Sequence, residues 1–180
     1  QLQSLSSLGL DNYQLVPFAR DHGHSELEAH IHVLDVAQRE QWRSVVLLDA
    51  RLKYVRKENS LKTVNKLLSR LSYIDWQVVL LGGRYNKISR LKVLPGVARV
   101  LSAGCGCAYA VNGTYIQTLR DCYQQAHEHG VSLDACWPMQ MQSHCWLGLQ
   151  PSFAFLPEIH DPTSGDVIDC THWFFRKNFQ

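Results

Sequence analysis

The sequence has no CxxC pair, no phosphate-binding glycine loop, no long apolar run and little net charge. Its six cysteines (Cys105, Cys107, Cys122, Cys136, Cys145 and Cys170) all lie in the second half. Without paired CxxC spacing they do not make a zinc ribbon. Neither GxGxxG nor GxxxxGK[ST] occurs, so the dinucleotide and NTPase fingerprints are absent. No uninterrupted apolar stretch reaches the roughly 18 residues of a bilayer-spanning helix, and the mean hydropathy is −0.19. A net charge of +2 is too small to mark a nucleic-acid binder, and no nucleic-acid partner is expected. The first ten residues mix Gln, Leu and Ser without a basic start, so no signal peptide is expected. The absence of Met at position 1 reads as a processed or excised chain. No internal repeat is visible.

What is present suits one globular domain over residues 1–180. An apolar share of 46% and a charged share of 19% exclude wholesale disorder. A chain of this length buries roughly 70% of its unfolded surface and needs no staples. Leucines at 2, 5, 8 and 10 predict a short helix, and 15–18 a short strand. Residues 21–25 read as a loop in which Ser25 caps a helix running from Glu26 to about Arg43. Its buried stripe is read as Ala29, Val33, Val36 and Ala37. Strands are expected at 44–49, 76–83, 97–101 and 107–111, with helices over 61–71 and 114–129. Pro138, Pro151, Pro157 and Pro162 punctuate a loop-rich remainder. This order predicts an α/β fold with a mainly parallel sheet flanked by helices. In such sheets ligands sit at the carboxyl ends of strands, which points to Asp49, to Gly82 and Gly83, and to the loop after Val111.

Several short motifs follow one another along the chain. They are Ser-Glu-Leu-Glu-Ala-His-Ile-His (25–32), Val-Val-Leu-Leu-Asp-Ala (45–50) and Asp-Trp-Gln-Val-Val-Leu-Leu-Gly-Gly (75–83). Gly-Cys-Gly-Cys-Ala-Tyr-Ala-Val (104–111), Ser-Leu-Asp-Ala-Cys-Trp (132–137), Gln-Pro (150–151) and Ser-Gly-Asp-Val-Ile (164–168) follow. Over about residues 20–170 this set resembles glycosyltransferase family 25, the lipopolysaccharide-type and procollagen-type sugar transferases. The resemblance implies a GT-A fold and inverting transfer of a hexose from a UDP-sugar donor to a glycan or hydroxylated protein acceptor, with Mn²⁺ or Mg²⁺ as cofactor. Two features depart from the pattern. The family's Glu-Asp-Asp is Leu-Asp-Ala at 48–50, and the family's first strand has no counterpart. Either a partner domain or chain completes the donor site, or the domain is a non-catalytic relative serving assembly or glycan and protein binding. A small α/β binding domain unrelated to sugars is a third reading.

The candidate residues each carry two readings. By resemblance Asp49 stands at the metal- and nucleotide-binding position; by chemistry alone it caps the turn after a strand. Arg51 offers paired donors that can neutralise a diphosphate without metal, or it is a solvated loop residue. Gly82 and Gly83 fall at the expected donor side. Asp134 matches the family's Val-Asp acid and is the first candidate for general base, expected in a loop; the other reading is a helix N-cap. Asp166 matches the Ser-Asp-Ile acid, or simply makes a turn. Trp137, beside Asp134, is the ring singled out to stack on an acceptor sugar, against ordinary core packing. His30 and His32 are two apart and do not share a helix face. A zinc site from His144, Cys145, Cys105 and Cys107 has no familiar spacing. Cys105 and Cys107 alternate on one strand face and read as buried free thiols. Asn112-Gly113-Thr114 is a glycosylation sequon, relevant only in a secretory compartment, where a disulfide among the other four cysteines is also open.

Overall fold

The structure, a computed structural model, describes residues 26–55, 58–160 and 164–175. The helix and strand expected before residue 21, and the 21–25 loop with its Ser25 cap, lie outside these. Helix α1, Glu26–Arg39, carries Glu26 and Glu28 in its first turn and Arg39 in its last, matching the helix dipole. Its buried residues are Leu27, Ile31, Leu34, Val36 and Ala37. The stripe is therefore rotated from the expected one, with Ala29 and Val33 half-buried. The helix stops four residues early because Gln41 takes a left-handed φ of 53°. Gln41 N–H then donates to the Gln38 carbonyl (3.1 Å) and Trp42 N–H to the Ala37 carbonyl (2.9 Å), a Schellman closure.

Strand β1 (Ser44–Leu48), the two-residue β2 (Lys53–Tyr54), helix α2 (Glu58–Leu68) and strands β3 (Val78–Arg90) and β4 (Val97–Asn112) follow. Helices α3 (Ile116–Glu128) and α4 (Leu133–Ser143) precede strands β5 (Trp146–Leu149), β6 (Ala154–Phe155), β7 (Glu158–His160) and β8 (Val167–Asp169), and the one-turn α5 (Thr171–Phe174). The main sheet has the order β1-β4-β3-β5. The α/β class stands, but the expected mainly parallel sheet does not: β1–β4 and β3–β4 are antiparallel, and only β3–β5 is parallel. The reason lies in β4. The segments expected as separate strands at 97–101 and 107–111 are one continuous strand, masked in the sequence by Gly104-Cys105-Gly106. Only residues 91–96 join it to β3, too few for the crossover that parallel pairing needs.

Register shifts between Leu80 and Ile88 bend this hairpin. Strand β5 pairs with Val78–Leu80 at the start of β3 and, on its other side, with Val97–Arg99 at the start of β4. The hairpin thus curls back on itself around Tyr85, whose hydroxyl would lie 2.8 Å from a Cβ at Gly148. Helices α1, α3 and α4 cover one face through Leu34, Leu119, Tyr123, Trp137 and Met141. Helix α2 covers the other through Val64 and Leu67, against Val79, Val97 and Leu147. The chain after β5 crosses the middle of the hairpin, with Phe153 N–H donating to the Leu81 carbonyl (2.8 Å). No described helix is long and apolar enough to cross a membrane.

Candidate functional site

Where β1 ends, its partner β4 is at its glycine-rich middle, because the pairing runs from Ser44 opposite Asn112 to Leu48 opposite Ala108. The first turn of α4 and the α1 start meet this point. Together they enclose a cavity of about 200 Å³ lined by Glu26, Asp49, Arg51, Cys105, Asp134 and Leu156, among others. The antiparallel register has a second effect. The loop after Val111 lies at the opposite end of the sheet from Asp49, so that part of the strand-end expectation is corrected.

Asp49 and Arg51 form a local clamp. Asp49 Oδ1 accepts from the Arg51 backbone N–H (2.7 Å) and from Nε (3.1 Å), and Oδ2 accepts from Nη2 (2.8 Å). This hydrogen bonding raises the Arg51 pKa further and keeps it cationic. Both readings of Asp49 bear on this geometry, since it closes the turn and faces the cavity. A resident divalent ion fits poorly, because each carboxylate oxygen already accepts from the chain's own guanidinium. Among the described residues, no three His, Cys, Asp or Glu side chains gather as a metal site.

Asp134 sits in the first turn of α4, not in the expected loop, and Ser132 occupies the N-cap position. Its two oxygens accept from the Cys105 backbone N–H at 2.8 and 2.7 Å. Burial raises its pKa, opposed by the Cys105 N–H and by the charge of Arg84. Cys105 makes this possible by adopting a left-handed φ of 54°, uncommon for a non-glycine residue. Pro138 lies inside α4 rather than in a loop. It has no N–H to give the Asp134 carbonyl one turn back.

The remaining candidates lie elsewhere. Gly82 is not at a strand end but inside β3, where a Cβ would stand 2.2 Å from the Ala154 carbonyl oxygen. Its neighbour Gly83 accepts a hydrogen bond from Ser152 Oγ (3.2 Å). Both positions lie at the crossing of the hairpin, away from the cavity lining, which corrects their expected place at a strand end. Trp137 is fully buried. Its Nε1 donates to Tyr123 Oη (2.9 Å) and its ring packs on Tyr109 and Trp146. It supports the cavity floor from behind, where a Cβ on Gly106 would meet it at 2.0 Å, and cannot offer a face to a sugar. Asp166 is exposed beside Gly165, its backbone N–H donating to Ser164 Oγ (3.2 Å), and is no part of the cavity lining. His30 bonds Tyr109 Oη through Nδ1 (2.5 Å), and His144 Nδ1 pairs with Tyr115 Oη (3.1 Å). Asn112 accepts from Thr114 N–H (3.1 Å) in a turn. All six cysteines are free thiols.

Among the polar lining residues, Glu26, read only as a helix start, and Ser132 were not singled out in the sequence. The Gly-Cys-Gly-Cys run carried a usable signal, since glycine inside a strand often marks a close approach. No family model and no curated protein matches this chain.

Proposed function

We propose that the domain is a sugar transferase of the kind its motifs resemble, moving a hexose from a UDP-sugar to a glycan or hydroxylated acceptor. One observation carries this reading: Asp49, Arg51 and Asp134, 85 positions apart at the extremes of the sequence span they cover, line a single cavity. Its volume of about 200 Å³ suits one sugar ring better than a whole nucleotide. Carboxylates at Glu26, Asp49 and Asp134 are acceptors for sugar hydroxyls. Asp134 takes the proton of the acceptor hydroxyl as its oxygen attacks the anomeric carbon. The bond from that carbon to the diphosphate breaks, and its electron pair leaves with the diphosphate. Arg51, held at its Nε by Asp49, is the cation on that side.

A raised Asp134 pKa favours this role, because a base works best when its pKa approaches the working pH. The test combines UDP-hexose calorimetry, a thermal-shift screen and a transfer assay. A donor at about 100 times its dissociation constant should add roughly 2.7 kcal/mol of stability. Asp134→Asn keeps the shape and removes the proton acceptor, so turnover should fall by about 10² to 10⁴ while donor binding holds and the chain stays folded at the assay pH. Near-normal turnover in the variant would move the base elsewhere. The Arg51 occupation of Asp49 favours a second reading, a glycan-binding relative without catalysis; sugar binding with no transfer to any acceptor would select it.

A further inference from the structure

The basic residues of this chain are unevenly placed. Residues 62–99 hold eight of its 18 Lys and Arg but only one, Asp75, of its 16 Asp and Glu. Two of the eight turn inward: Arg84 lies over the Trp173 ring, and Arg99 donates to the His144 carbonyl (3.0 Å). The other six, Lys62, Lys66, Arg70, Lys87, Arg90 and Lys92, are exposed. They come from α2 with the turn after it and from the far end of β3 with the turn into β4. Asp75 accepts from Gln77 Nε2 (3.3 Å).

Between these two basic segments lies an open groove of about 340 Å³ lined by Arg70, Tyr73, Ile74, Leu91, Val93 and Leu94. Its lining is mainly apolar, yet Tyr73 is 88% and Val93 82% exposed. Large side chains this exposed, gathered at one groove with Arg70 in its lining and set in so basic a stretch of sequence, are not the pattern of a solvated surface. Nucleic acid would use the cations and could stack on Tyr73, but it has no use for the aliphatic Leu91, Val93 and Leu94. An interfacial lipid layer uses both: anionic headgroups for Lys and Arg, and the acyl boundary for Tyr and Val.

We propose that this face docks on an anionic phospholipid membrane, with Tyr73 and Val93 entering the interface and Lys66, Arg70, Arg90 and Lys92 engaging headgroup phosphates. It is built from different residues than the cavity and does not depend on the transferase reading. The test is co-sedimentation of the full chain with phosphatidylcholine vesicles, with and without 30% phosphatidylserine. Binding should require phosphatidylserine and weaken with salt. Removing a basic residue should cost roughly fivefold each, so Lys66→Gln, Arg70→Gln and Lys92→Gln together should lower the partition constant on the order of 100-fold. Tyr73→Ser with Val93→Ser, which leaves every charge, should lower it about tenfold. All five positions are exposed, and unchanged melting curves confirm that the variants fold. No binding to the anionic vesicles would overturn the proposal. So would a loss of affinity for polyglutamate equal to that for vesicles in the charge variant, with the Tyr73 and Val93 variant unaffected; that pattern assigns the face to an acidic protein.

Discussion

Cys105 and Asp134 define the residue scale of this site. The left-handed Cys105 turns its N–H onto the Asp134 carboxylate, and strain of this kind persists only where surroundings over-determine it. Burial raises the Asp134 pKa from its ordinary value. A carboxyl with a higher pKa in the folded than in the unfolded chain adds stability when protonated. That contribution is complete below about 3.9, the unfolded value, and is lost as pH rises through the folded value. Asp134→Asn should therefore flatten the stability curve over that window, read as melting temperature against pH. A second expectation concerns the thiols. Burial pushes Cys105 up to about 12 and raises Cys107 further, whereas hydrogen bonding with Cys136 lowers Cys122. Brief iodoacetamide treatment at neutral pH, followed by peptide mass spectrometry, should label Cys122 first and leave Cys107 unmodified. Early labelling of Cys107 would show that the cavity floor opens. The placing of Asp49, Arg51 and Asp134 beside strand and helix ends was legible because local pattern marks those ends; their roles were not, since a turn cap, a solvated arginine and a helix cap use the same residue types. Trp137 was not, since an aromatic ring reads alike whether it faces a pocket or a core.

The element that organises the molecule is the curled β3–β4 hairpin, and adjacent glycines report on it. At Gly82 an added methyl group meets backbone, the Ala154 carbonyl, at 2.2 Å; at Gly83 the nearest atom is a Leu80 methyl at 3.5 Å. Gly82→Ala should destabilise the fold by about 1–3 kcal/mol, read as a lower denaturation midpoint, and Gly83→Ala should stay close to the parent. Equal effects would mean that the chain after β5 does not cross where described. Helix α4 shows a different limit of sequence reading. Pro138 marks a break in local propensity, yet burial of Leu133, Trp137 and Met141 against the sheet holds a helix through it. Packing outweighs the local signal there.

At the scale of the whole molecule, the cavity and the basic groove are lined by separate residues. The charge-neutralised groove variant is therefore expected to keep the donor affinity of the parent, measured by calorimetry in the absence of lipid. A parallel loss of both functions would show that the two faces are coupled. The sequence by itself determined the α/β class and the approximate helices over 61–71 and 114–129. These follow from local periodicity and side-chain chemistry, which adjacent residues carry. Only the tertiary structure decided that β3 and β4 form one bent antiparallel hairpin, that Gly82 and Trp137 face the interior, and that Glu26 joins Asp49 and Asp134. Each of these depends on which distant segment lies alongside. Strand direction and burial are set by pairing across the chain, and no window of neighbouring residues contains that information.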